Sequence, residues 1–219
     1  MLLEPGENYD NKIGDYRFFS SEECNVKNAK LLEDFEKKAD NINVKPLPKK
    51  FSFKVYDIPA NSMDELVVQI GVITHKLSNS IKAGPVLFLS DFAIPWLSQN
   101  NEFPPVKNAQ EYLKKLGIDE KFSGGFLVNE SDLMEFMSHL FWLIRCNAEL
   151  PPCYFTFEKF NFITNLCQYG NFHFTFYCEE ERIELEKVFD QLGMNEVPGG
   201  FCYERFSEGS SIEGRRIEL

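Results

Sequence analysis

The stretch Phe172-His173-Phe174-Thr175-Phe176-Tyr177-Cys178 restricts the fold more than any other, because its alternation is unbroken. Side chains along a strand point to opposite faces in turn, so Phe172, Phe174, Phe176 and Cys178 share one face and His173, Thr175 and Tyr177 the other. One face is core; the other is polar, aromatic and able to hydrogen-bond. The chain has ample material for such a core, with 22 Phe among 219 residues, each ring burying roughly 150–250 Å². A chain of this length buries about 72% of its unfolded surface, so neither a metal nor a disulfide is needed to hold it together.

Two strands are predicted just upstream, over 153–157 and 160–167, and Tyr169-Gly170-Asn171 makes the tight turn into the third. If the alternation continues through them, Tyr154, Thr156 and Glu158 stand on the polar face beside His173, Thr175 and Tyr177. A Tyr-rich patch carrying a few charges is what protein interfaces use as anchors. Either this face docks a partner, or a helix such as 131–149 covers it and its polar atoms bond internally.

The earlier part of the chain alternates between strand and helix. Residues 51–57 read as a strand with Phe51, Phe53 and Val55 inward. Asn61-Ser62 caps a helix over 62–82, with Asp64 and Glu65 in the first turn, where the helix dipole favours acids. Gly84-Pro85 stops that helix, and the wholly apolar Val86-Leu87-Phe88-Leu89 follows as a strand. The order predicts a right-handed crossover joining parallel strands. Residues 91–106 read as a Pro-rich surface loop exposing Trp96 and Phe103. A short helix over 108–116, a strand over 126–128, helices over 131–149 and 180–192 and a last strand over 201–206 complete the pattern.

Residues 1–50 read as an N-terminal arm and a surface helix ended by Pro46 and Pro48, and 51–219 as the folded domain. The class is α+β: a single domain whose mixed sheet has a βαβ-like first part and antiparallel C-terminal strands, packed with three main helices.

Acidic residues outnumber basic ones by 34 to 23, a net charge of −11. That charge repels phosphate backbones and anionic lipid, so neither nucleic acid nor membrane is an expected partner. It favours encounter with basic proteins. No apolar run reaches the roughly 18 residues of a membrane span, and the N-terminus lacks signal-peptide regions, so a cytoplasmic location is expected. The six cysteines form no Cys-x-x-Cys pair and read as reduced, mostly buried thiols.

Walker, Gly-x-Ser-x-Gly and His-Glu-x-x-His motifs are absent, and no single element carries metal-type His or Cys spacing. Cys178 cannot pair with His173, because the two point to opposite faces of one strand. The acidic triplet Glu179-Glu180-Glu181 is explained by the helix dipole. No cofactor, metal or catalytic residue is therefore expected.

The first functional expectation is a non-enzymatic acidic protein that captures a basic partner, in the manner of an immunity protein neutralising a bacterial toxin. Its binding residues would be Tyr154, Thr156, Glu158, His173, Thr175 and Tyr177, with Trp96 and Phe103. The alternative is a small-molecule enzyme whose cleft gathers His139, Arg145 and His173 beside the 91–106 loop. A third reading is a subunit of a larger assembly held through Trp96 and Phe103; the sequence leaves the oligomeric state open.

Overall fold

The computed structural model describes residues 52–90, 94–150, 152–157, 159–207 and 211–216. The arm and helix predicted within 1–50 lie outside the described residues, as do Phe51 and Glu158. Seven strands form one sheet: β1 (Ser52–Asp57), β2 (Val86–Leu89), β3 (Phe126–Val128), β4 (Tyr154–Phe157), β5 (Phe162–Leu166), β6 (Phe172–Phe176) and β7 (Asn195–Glu196). Among the described residues four helices accompany it: α1 (Met63–Ser80), α2 (Pro104–Lys115), α3 (Glu130–Cys146) and α4 (Glu179–Gln191). This is the α+β domain that the patterning predicts.

The sheet order is β3-β2-β4-β5-β6-β1-β7, and every neighbouring pair is antiparallel. Strands β1 and β2 therefore point the same way, as the crossover predicts, but β4, β5 and β6 lie between them. Those three later strands fill the gap, and their Phe alternation supplies the buried face at the centre of the sheet.

The Phe face is covered by helices. Phe136 of α3 packs on Phe88 and Phe126, with ring centroids 4.9 and 5.2 Å apart. Phe189 of α4 packs on Phe174 and Tyr56 at 4.6 and 4.7 Å. Helix α1 buries Leu66, Ile70, Ile73 and Leu77 in the same core. Its start is a reciprocal cap: Glu65 N–H donates to Ser62 Oγ at 3.1 Å, and Glu65 Oε2 accepts from Asn61 N–H at 2.7 Å. The turn before β6 fits closely, since Gly170 has φ +82° and an added Cβ would stand 2.7 Å from Leu66.

Four expectations need correction. Phe53 and Val55 do not point to the core; Lys54 and Tyr56 do, because Tyr56 packs on Phe189 and Lys54 reaches Glu186 of α4 at 3.0 Å. Both faces of β1 carry apolar residues, so alternation alone left the choice of side undetermined. Trp96 is not exposed but 1% accessible, with its indole N–H donating to Gly124 O at 2.8 Å and its ring against Phe126. The prolines read as loop formers open α2 four residues early, at Pro104 and Pro105, since proline's fixed φ suits a first helical turn.

Residues 201–206 are not a strand. A 3₁₀ turn, Pro198–Gly200, with Gly199 and Gly200 at φ +71° and +72°, swings the chain off the sheet edge. The segment is then held by side chains: Arg205 donates to Ile58 O at 3.0 Å, and Glu204 pairs with Arg145 at 2.7 Å, both side chains nearly inaccessible.

Candidate functional site

Register fixes which side chains share the face away from the helices. Leu89, Tyr154, Asn165, His173 and Val55 follow one another across β2, β4, β5, β6 and β1. Next to that row, Leu87 pairs with Thr156 across β2 and β4, and Ile163, Thr175 and Phe53 follow one another across β5, β6 and β1. Among the described residues the ring contacts between helices and sheet lie on the opposite face, so α3 does not cover this one. The chain itself covers part of it. Gly200 lies over Val55, which is buried, and Thr156 is buried with its hydroxyl donating to Phe162 O at 2.8 Å.

The remaining residues of the two rows are half-buried or exposed, with Tyr154 and Phe53 the most accessible. On the segment that crosses this face, Cys202 and Glu204 turn inward while Phe201 and Tyr203 stand 80% and 66% exposed. Exposed aromatics among the described residues are thus Phe53, Tyr154, Phe201 and Tyr203, all on this face or on the segment crossing it. On the helices and the cap after α2 the exposed large apolar side chains, Val68, Leu116, Met134 and Ile183, are aliphatic.

Of the residues predicted to bind, Tyr154, Thr156, His173 and Thr175 are brought together on this face, and Tyr177 follows at the end of β6, half-buried. Glu158 is outside the described residues. Trp96 is in the core, and Phe103 is half-buried edge-on to Trp142 at 5.9 Å, so neither belongs to the face. Of the residues of the enzyme alternative, His139 stands apart from His173, while Arg145 reaches the turn of the hairpin that carries His173. His139 stacks on Tyr112 between α2 and α3 at 4.2 Å, Arg145 is sealed against Glu204, and His173 is across the sheet. Burial lowers the pKa of His139, with Glu135 opposing and Lys115 assisting.

The structure adds a grouping that local sequence reasoning missed. Cys202 Sγ lies 3.3 Å from His173 Nε2, and Cys167, just past β5, completes a cluster whose ligand atoms are all within 4.8 Å of one another. A hydrogen bond from Cys167 pulls the Cys202 pKa well below the usual thiol range. Burial opposes this, while the Asn171 side chain and His173 assist. The same bond to Cys202, together with burial, pushes Cys167 up. The available signal was Cys167-x₅-His173 spanning the hairpin turn, which a search within single elements passes over.

The acidic turn at the start of α4 is engaged locally: Glu181 accepts from the backbone and side-chain amides of Asn161, both at 2.6 Å. Comparisons with protein-family models, curated proteins and solved structures return no match for this chain. Among the described residues no helix is long and apolar enough to cross a membrane.

Proposed function

We propose that this protein is a non-enzymatic acidic binding protein that docks a basic protein partner on the sheet face opposite the four described helices, as an immunity protein does when it neutralises a toxin. The observation that carries the reading is the segregation of exposed aromatics. Phe53 and Tyr154 are on this face and Phe201 and Tyr203 on the segment that crosses it, whereas the exposed large apolar residues of the helical side are, among those described, aliphatic. Aromatic side chains supply large contact area at small entropic cost, which is why they dominate binding hot spots. The charge of −11 steers a cationic partner toward the molecule. The five described cysteines are free, which supports a reducing compartment such as the cytoplasm.

The test is site-specific photocrosslinking in native lysate. A crosslinking amino acid at Tyr154 or Phe201 captures one basic polypeptide at equimolar ratio, whereas the same group at Val68 or Met134 on the helical side does not. Tyr154→Ala then weakens binding of that polypeptide by about tenfold or more, which is 1.4 kcal/mol or above. Crosslinks spread equally over both sides, or directed to acidic proteins, overturn the proposal.

A further inference from the structure

Three segments converge at the hairpin end of the face opposite the described helices. Cys167 comes from the turn after β5, His173 from β6 and Cys202 from the segment that follows the 3₁₀ turn. Two sulfurs and one imidazole nitrogen within 4.8 Å of one another form a compact donor set. Tetrahedral Zn²⁺, with Zn–S of about 2.3 Å and Zn–N of about 2.0–2.1 Å, requires S···S near 3.8 Å and S···N near 3.6 Å. The Cys202 Sγ to His173 Nε2 separation of 3.3 Å needs only a few tenths of an ångström of adjustment.

A second observation points to a ligand here. Asn171 is 4% accessible, its side chain hydrogen-bonds Cys202, and its Oδ1 has no hydrogen-bond partner among the described residues. A buried acceptor left without a donor costs about 1–3 kcal/mol, so such atoms call for a partner. An amide that bonds a ligating sulfur and keeps an acceptor free for metal-bound water is the kind of supporting group that metal sites use.

We propose that Cys167, His173 and Cys202 bind a thiophilic divalent metal ion, Zn²⁺, which clamps the C-terminal segment onto the β5–β6 hairpin. Three protein ligands leave one tetrahedral position for water. Two sulfurs and an imidazole select Zn²⁺ over Mg²⁺ and Ca²⁺, which take oxygen ligands. The proposal stands apart from the docking reading, because its test reads metal and requires no partner.

The full chain, reduced and stripped of metal with chelator, is titrated with Co²⁺ and then with Zn²⁺ against a chromophoric chelator. The expected result is one metal per chain, with sulfur-to-cobalt charge-transfer absorption and the visible bands of tetrahedral Co²⁺. Cys167→Ser, Cys202→Ser and His173→Gln each weaken binding by more than the roughly 10–100-fold typical of losing a supporting partner, and Asn171→Ala falls within that range. Cys178→Ser, at the start of α4, leaves binding unchanged.

Should a ligand variant fail to fold, X-ray absorption of Zn²⁺ on the unmodified chain decides instead: two sulfurs at about 2.3 Å and one nitrogen at about 2.0 Å are expected. Absence of stoichiometric binding, binding indifferent to all three substitutions, or a Cys167–Cys202 disulfide in a chain that takes up no metal after reduction would each overturn the proposal.

Discussion

Replacing Glu204 with Gln tests how the C-terminal segment is held. Arg145 and Glu204 meet at 2.7 Å with side chains 3% and 4% accessible, and Arg145 also donates to Gln168 O at 2.8 Å. At an effective dielectric of 20 the gross attraction is roughly 6 kcal/mol, much of it offset by desolvation. Glu204→Gln preserves shape but strands a buried guanidinium, which costs about 3–5 kcal/mol. For a chain of this size that corresponds to a fall in Tm of roughly 6–20 °C.

The double variant Arg145→Met/Glu204→Leu removes both charges and regains most of the loss. It remains about 1–2 kcal/mol short, because Gln168 O loses its donor. Urea unfolding followed by far-ultraviolet circular dichroism measures all three chains. A single-variant cost under about 1 kcal/mol, or a double variant as unstable as the single, would refute the reasoning.

The pair also sets a pH dependence. Burial works to raise Glu204, but the Phe206 N–H and Arg145 outweigh it and hold the carboxyl below its ordinary value of 4.5. Its stabilisation is therefore fully present above pH 4.5 and lost as pH falls through the depressed value. Glu204→Gln flattens that acid limb, and an unchanged limb would show that the carboxyl is not stabilised by folding.

Trp96→Ala removes a core indole bonded to Gly124 O and costs about 3–5 kcal/mol by the same urea assay; a surface-like cost below about 1 kcal/mol contradicts its burial. Gly170→Ala forces a side chain into φ +82° and against Leu66, so a loss of more than about 1 kcal/mol is expected, and a gain would show that the turn relaxes freely. Phe53→Ser changes stability by less than about 0.5 kcal/mol in urea, since the ring is 46% exposed; a core-sized loss would return Phe53 to the interior.

The helices were legible because each carries its period and its stop signals. Gly84 and Gly193, both at positive φ, follow α1 and α4, and α3 shows an unbroken apolar stripe. The two-sided character of β6 was legible for the same reason, and its Phe face is the buried one. The orientation of β1 was not, since Phe53, Val55, Tyr56 and Ile58 offer greasy residues to both sides and only Phe189 and Glu186 of α4 decide between them. Trp96 looked like a surface anchor because a Pro-rich neighbourhood says nothing about the carbonyl of Gly124, 28 residues on. Cys202 was hidden by long-range geometry. Two glycines at positive φ redirect a stretch whose Phe and Tyr imitate a strand, and that detour brings its thiol to His173.

The position of β1 bears on how the chain is made. Its partner β6 is roughly 120 residues downstream, so a nascent polypeptide emerging N-terminus first exposes β1 long before its ladder can form. Contacts of such high order slow folding and prolong the time during which the unpaired backbone of β1 can stick to other chains. Ribosome-stalled fragments ending before residue 172 are thus expected to lean on chaperones, and the emergence of β6 is the moment at which the β1–β6 ladder can form.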